Sequence, residues 1–438
     1  MSEQQPPSPG PGPRLAPRLA DLSRTELESF RTHEQASYDA LVAEGLKLDL
    51  TRGKPSPEQL DLSDGMLSLP RTTTTPDGVD ARNYGGLAGV PALRDMFAEL
   101  LGLEPAQLSA QGTSSLTLMK DVLTYLWLRG GVDSARPWSA EETVRFVCPV
   151  PGYDRHFSLL EWFGIEMITV PMTEDGPDPD AVAALVADDP TVKGMWLVPT
   201  YANPTGQTTS QEVAERLASM PAAAPDFKIF WDNAYALHHL TPAETKSADI
   251  VSLAAVAGHP HRPVLFASTS KITYAGAGVA FVGGSPETVT WFHDQLALGS
   301  IGPDKVNHLR HLEFFGSPQG VREHMAAHRD LLAPKFAEVD RILEERLGES
   351  GVATWSRPQG GYFVSLDVLP GTATRVIELA KGAGVALTPA GSAFPYKRDP
   401  EDANIRLAPS FPTPDEVRGA MEAVTTCVLL AAAEKLLA

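Results

Sequence analysis

From about residue 85 to 335, stretches with helical spacing alternate with short apolar runs: VRFVCP, EMITVPM, GMWLVPT, FKIFWD, PVLFAS and GVAFVGG. These runs are apolar at successive positions rather than at every second one. They therefore predict strands buried on both faces, the condition created when crossover helices cover a largely parallel sheet. Ligands of such sheets lie beyond the C-terminal ends of the strands. Four polar loops follow the runs at that end: PGYD after VRFVC, YANPTG after MWLVP, DNAY after FKIFW and STSK after VLFA. The pattern predicts an α/β fold whose loops converge on one site.

Outside this region the pattern changes. A helix predicted over 335–347 precedes VATWSRPQGGYFVSLDV, a helical stretch, VALTPAG, IRLAPSF and a final helix, which together make a smaller α/β unit. Near the start, SRTE offers a capping box in which Ser23 and Glu26 satisfy free amides of a first helical turn, with Leu27, Phe30, Leu41 and Val42 facing inward. The following LDLTRGKPSPEQLDLS is rich in turn formers and reads as an irregular strap across the surface or cleft. The expected divisions are a disordered Pro-rich tail over 1–22, an N-terminal segment over 23–75 that joins the small unit, a large unit over 76–334 and a small C-terminal unit over 335–438.

Composition narrows the function. The length of 438 residues exceeds one ordinary core, so two units sharing a cleft are expected. Lys and Arg number 36 against 55 Asp and Glu, and the resulting formal charge of −19 would repel a phosphate backbone, which argues against nucleic acid as a partner. No long apolar run suggests a membrane span. Cys148 and Cys427 lie far apart and match neither a disulfide framework nor a metal-ligand pair, and the start of the chain has no apolar signal core. Residence in the cytoplasm is the expectation.

The most informative segment is FASTSKITYAGAG, where Lys271 follows an apolar strand and two serines and precedes small residues. A lysine so placed can condense with an aldehyde cofactor and, once released, act as general acid and base. Asp232 closes the strand in WDNAYA, where its carboxylate can pair with a protonated pyridine nitrogen; a helix cap or an ion-paired acid would read the same. Tyr235 and Asn203, the latter in the turn-prone NPTG, can hydrogen-bond a ring oxygen, although NPTG alone could be merely a turn. GTSSLTLMKDVL places Thr113, Ser114 and Ser115 where a helix begins, a phosphate site or ordinary N-capping. Tyr153 in PGYDRH can stack on the ring or simply be buried. His238 and His239 have no carboxylate–histidine set beside them, and no metal is assigned.

Taken in order, YGGLAGVPALR, YANPTG, DNAY, STSK and IRLAPS make the chain from about residue 45 resemble the class I aminotransferases of fold type I, particularly the bacterial type Ic aspartate aminotransferase branch. That resemblance implies pyridoxal 5'-phosphate as cofactor and a large domain with a mostly parallel seven-stranded sheet beside a smaller α/β domain. It assigns the cofactor to Lys271, pyridine-nitrogen pairing to Asp232, ring-oxygen contacts to Asn203 and Tyr235, ring stacking to Tyr153, and phosphate contacts to Ser114, Ser115 and Ser268. Tyr84 would reach the phosphate of a neighbouring subunit, which implies a homodimer with composite sites. Arg406 would grip the substrate α-carboxylate, supported by the backbone at Gly53. The implied reaction is amino-group transfer between an L-amino acid, aspartate for this branch, and a 2-oxo acid such as 2-oxoglutarate.

The sequence departs from the family where most relatives have a phosphate-binding arginine shortly after the lysine, because ITYAGAGVAFVGG contains none. Hydroxyls at Thr113, Ser114, Ser115, Ser268 and Ser270, or Lys305 brought by a partner, are the expected substitutes. Arg52, Lys54 and Lys305 are candidates for reading a distal carboxylate. The competing functions are a β-lyase or synthase on the same scaffold, and an aminotransferase-like transcription regulator. Against the regulator, only a Pro-rich tail and one helix precede the aminotransferase-like region.

Overall fold

In the computed structural model, which describes residues 18–438, the six apolar runs are all strands of one sheet. Across the sheet the order is Leu108–Ala110, Ala280–Gly283, Pro263–Ser268, Lys228–Asp232, Val192–Leu197, Arg145–Val150, Glu166–Thr173 and Gly176–Pro177. The sheet therefore has eight strands rather than the expected seven. The eighth is a two-residue edge strand that turns back antiparallel on Glu166–Thr173, too short to leave a hydrophobic signature. The five central strands, from Pro263–Ser268 to Glu166–Thr173, are parallel, and Ala280–Gly283 and Leu108–Ala110 add antiparallel pairings at the far edge.

Strand Lys228–Asp232 shows why the runs are continuous. Ile229 and Trp231 enter the core on one face, while Phe230 enters an aromatic core on the other with Phe146, Trp196 and Phe266. Neighbouring rings of that layer lie with centroids 4.6–5.7 Å apart where they meet Phe230. Gly194 makes room for it, since a Cβ there would sit 2.5 Å from the Phe146 ring. Truncating a ring in such a layer removes transfer energy and leaves a cavity, about 3–5 kcal/mol for Phe→Ala.

The predicted helix over 335–347 begins much earlier and runs over Pro318–Leu347 with Pro334 inside it. Its first half buries Val321 and Met325 in the large core and its second half buries Phe336, Val339 and Leu343 in the small one. The expected division at 334/335 thus falls within a single helix that links the two cores. The small core also holds an antiparallel sheet of Ala353–Trp355, Val364–Val368 and Asn404–Leu407, and the helix Pro414–Leu437.

At the N-terminal end the Ser23 capping box is present and starts the helix Arg24–Glu44, which packs along Pro414–Leu437. Leu27 is buried and Phe30 and Leu41 pack on the small core, but Val42 is 43% exposed; the buried stripe is completed instead by Glu34, whose carboxylate meets Arg346 at 3.5 Å. Of the expected tail over 1–22, residues 1–17 lie outside the described residues. Leu19–Asp21 forms a 3₁₀ turn with Leu19 buried and its N–H donated to Ser350, so order begins before Ser23. The expected irregular strap is partly regular: Leu48–Asp49 pairs in parallel with Val385–Ala386, and a short helix follows at Pro57–Asp61. Among the described residues, no helix is long and apolar enough to cross a membrane.

Candidate active site

The four polar loops do lie at the C-terminal ends of the central strands, and the DNAY loop meets Lys271. Its Nζ is 4.9 Å from the centroid of the Tyr235 ring. Asp232, the last residue of its strand, is 3% exposed. One of its oxygens, Oδ2, is 2.9 Å from His156 Nε2, while Oδ1 is buried with no hydrogen-bond partner. A carboxylate accepts, so the pairing assigns the proton to His156 Nε2. That ring lies flat on Trp196, centroids 4.2 Å apart and 9° between planes. Trp196 belongs to the strand lying between those that lead to His156 and Asp232, and its indole supports the imidazole as it reaches across.

Tyr153 stands edge-on to His156 at 4.9 Å. Burial pushes its phenol up to about 12, and burial raises that of Tyr235 still further, with the Asp232 charge adding to the effect. Both rings are therefore neutral hydrogen-bonding groups. Asn203 is buried, and its Oδ1 lies 3.5 Å from Arg406 NH1. Arg406 projects from the small-domain strand Asn404–Leu407 with its guanidinium carbon 5.0 Å from the Phe363 ring centroid. NH1 is 3.0 Å from Asp154 Oδ1, NH2 is 3.4 Å from Thr388 Oγ1, and Nε is buried without a partner. Gly53 packs on the same phenyl ring, where a Cβ would lie 2.3 Å from Phe363 Cζ. Only glycine lets the strap pass that closely.

At the other end of the site the helix Ser115–Arg129 opens beside the lysine loop. Ser114 caps it by accepting the Thr117 N–H at 3.3 Å, and the Ser270 hydroxyl donates to the Thr113 carbonyl at 3.1 Å. Ser268 Oγ accepts the Ser270 N–H at 3.4 Å. Thr113, Ser114, Ser115, Ser268 and Ser270 are thus gathered at one helix N-terminus, where partial positive charge favours an anion.

Three further expected residues lie away from the lysine. Tyr84 is 82% exposed on a surface loop. Lys305 is 6% exposed, and its ammonium donates to the carbonyls of Asn83 and Gly85 at 2.7 Å each, so it braces the Tyr84 loop rather than presenting a free charge to phosphate or substrate. Lys54 lies 3.8 Å over the Phe411 ring, leaving Arg52 exposed beside Gly53.

Sequence reasoning missed the polar network behind the lysine. Tyr362 OH donates to the Lys271 carbonyl at 3.3 Å and accepts from Gln59 Nε2 at 2.9 Å, and Gln59 also meets His328 Nδ1 at 3.0 Å. His324 Nε2 holds the Ile272 carbonyl at 2.7 Å and His238 Nε2 approaches that of Lys271 at 3.4 Å. His239 turns elsewhere, to the Tyr201 hydroxyl at 2.7 Å. Burial lowers His238 well below the ordinary range, helped by the Lys271 charge, and lowers His328 to about 3. These partners lie far apart in sequence, on Pro57–Asp61, Pro318–Leu347 and the segment before Val364–Val368, so no local motif could announce them.

The family model described as aspartate amino-transferase matches residues 22–438. The chain belongs to that family. It is 54% identical over 418 residues to the aspartate aminotransferase of Corynebacterium glutamicum, covering 95% of this chain and 96% of that protein. A crystal structure of an aspartate transaminase from the same organism superposes with a TM-score of 0.94 at 53% identity, covering 96% of this chain and 99% of that one. The α-aminoadipate aminotransferase of Thermus thermophilus, crystallised with N-(5'-phosphopyridoxyl)-L-leucine, has a TM-score of 0.71 at 22% identity over 95% of this chain and 100% of that one, which shows the shared fold. This aminotransferase is an enzyme of fold type I, and its cofactor is pyridoxal phosphate.

Proposed function

We propose that this aminotransferase exchanges the amino group of aspartate with 2-oxoglutarate at the site built around Lys271. The observation that carries the reading is the Asp232 carboxylate, buried with one oxygen tied to His156 and the other without a partner. A buried carboxylate oxygen left bare is costly unless a donor arrives, and a protonated pyridine nitrogen is such a donor. The residues therefore fit the cofactor: Asp232 would hold its ring nitrogen, Tyr153 its face, Asn203 and Tyr235 its ring oxygen, and Thr113, Ser114, Ser115 and Ser268 its phosphate. When bound, pyridoxal phosphate supplies an aldehyde that Lys271 can hold covalently and an electron-withdrawing ring conjugated to the substrate.

In this reading Asp232 would hold a proton on the ring nitrogen, and its bond to His156 holds the carboxylate against rotation. The Lys271 amine would serve as the general base that takes a proton from the substrate α-carbon and as the general acid that gives one up. Arg406 seats the α-carboxylate through two parallel charge-assisted hydrogen bonds, with the Gly53 backbone beside it. Arg52 is the cation left to read a distal carboxylate. The relatives named for aspartate support that substrate. We further propose a large unit that begins at about residue 76 and ends within the helix Pro318–Leu347, a homodimer in which Tyr84 serves the partner's phosphate, and residence in the cytoplasm, consistent with two buried, unpaired cysteines.

Replacing Lys271 by Ala should abolish the visible absorbance of the purified yellow protein and its covalent capture of cofactor on borohydride reduction. Capture on another lysine would overturn the assignment. Wild-type protein that transfers no amino group from aspartate would reject the substrate while leaving the cofactor site intact.

A further inference from the structure

The Arg406 side chain is only 10% exposed, and its guanidinium lies in a slot floored by Phe363. Its ionic partner comes from the protein itself. Asp154 Oδ1 sits 3.0 Å from NH1 and so takes up one of the donors that a bound carboxylate would use if Arg406 is the α-carboxylate seat. The contact with Asp154 is a single bond from one oxygen, and Nε remains buried and unpartnered, so the arginine's donors are only partly used.

We infer that Asp154 is an internal stand-in for the substrate carboxylate, occupying Arg406 between turnovers and leaving when substrate binds. This inference rests on the proposed role of Arg406. Three features of Asp154 suit it to the task. Its side chain is 35% exposed, so water already reaches the carboxylate while it is paired. It is the first residue of the helix Asp154–Phe163, directly after Tyr153, so its backbone is held by the helix whichever way its carboxylate points. Once released it still lies in the first turn of that helix, where free N–H groups and the helix dipole favour a negative charge. The released state is therefore stabilised, and the exchange is reversible.

A substrate carboxylate forms two parallel bonds to the fork where Asp154 forms one, so it displaces Asp154, but at a cost in apparent affinity equal to the fraction of time that the seat is free. The stand-in keeps the largely buried arginine paired when substrate is absent. It also raises the threshold for anions that cannot offer a planar pair of oxygens. Asp154 is in this sense a selectivity residue that acts through Arg406.

The test uses the cofactor-loaded enzyme with succinate and propionate, carboxylates that carry no amino or oxo group to react. Their dissociation constants are read from the change in cofactor absorbance, alongside KM and kcat for aspartate. Asp154→Asn and Asp154→Ala should both tighten succinate and propionate by about threefold to tenfold and lower KM for aspartate in parallel, with kcat changed less than KM. If Asp154 instead served to organise Arg406, both variants would bind these carboxylates more weakly; weaker or unchanged binding in the two variants overturns the inference. Arg406→Lys separates this from the underlying reading: it should weaken both carboxylates, and if it does not, Arg406 is not the seat. Should Asp154→Asn fold poorly, Asp154→Ala and the succinate measurement decide.

Discussion

At the scale of single residues, Asp232 and His156 show what a sequence can and cannot convey. An acid closing an apolar strand is visible in FKIFWD, because the strand and its C-terminal end are both legible. His156 is not, because its meaning depends on a partner that lies across an intervening strand and on the Trp196 indole that supports it. The pair makes a sharp expectation. Asp232→Ala removes the acceptor that would keep a proton on the cofactor ring, and should lower the rate of the half-reaction with aspartate by about a hundredfold to a thousandfold or more. Folding should suffer less than catalysis, by about 1–3 kcal/mol, because the change strands the buried N–H of His156 while removing an oxygen that had no partner. Stopped-flow spectra and a thermal melt measure the two effects separately, and a near-wild-type half-reaction with full cofactor occupancy would contradict the role. Lys305 marks the opposite lesson. A lone lysine has many possible duties, and only the fold shows that its ammonium is committed to two backbone carbonyls of the Tyr84 loop.

At the scale of elements, the parallel strands were readable because both faces are buried and the runs are apolar throughout. The edge strand Gly176–Pro177 and the early start of Pro318–Leu347 were not, since one is too short for periodicity and the other carries a proline and many polar residues. That helix also delivers His324 and His328 to the back of the lysine loop, while His311, on Lys305–Phe315, approaches Thr269 and Thr273 at 3.2 and 3.0 Å. Burial holds His311 down to about 4 and His328 to about 3, and lowers His238 well below its usual value. The unfolded chain titrates these rings near 6.5, so below that pH it binds more protons than the folded protein and stability falls. The stabilisation is fully present above about 6.5 and is lost progressively as pH drops toward the folded values. For His328 the loss between pH 7 and pH 5 should be about 2 kcal/mol. Urea midpoints at the two pH values check this: His328→Gln should shrink the difference by roughly that amount, and an unchanged difference would mean that the ring is already protonated in the folded protein.

At the scale of the molecule, the loop bearing Tyr84 is held firmly yet presents its aromatic ring to solvent. Lys305 pins the carbonyls on either side of it, and Tyr84 itself is 82% exposed. Fixing a loop costs conformational entropy, and an exposed aromatic ring on a braced loop is best accounted for if a second copy of the chain receives it. In a symmetric dimer each site would then combine Lys271 of one subunit with the tyrosine of the other. This arrangement has a consequence that no single-subunit site shares. Lys271→Ala and Tyr84→Ala proteins should each be nearly inactive, yet unfolding and refolding them together should restore activity. In a mixed dimer the site that keeps Lys271 receives an intact Tyr84 from the Lys271→Ala subunit, while the other site has lost both. With random pairing half of the dimers are mixed and half of their sites are whole, so recovery should approach about one quarter of wild-type activity per subunit. Activity that stays at the level of the two separate variants after exchange, with subunit mixing confirmed by native mass spectrometry, would mean that Tyr84 acts within its own chain or not at all.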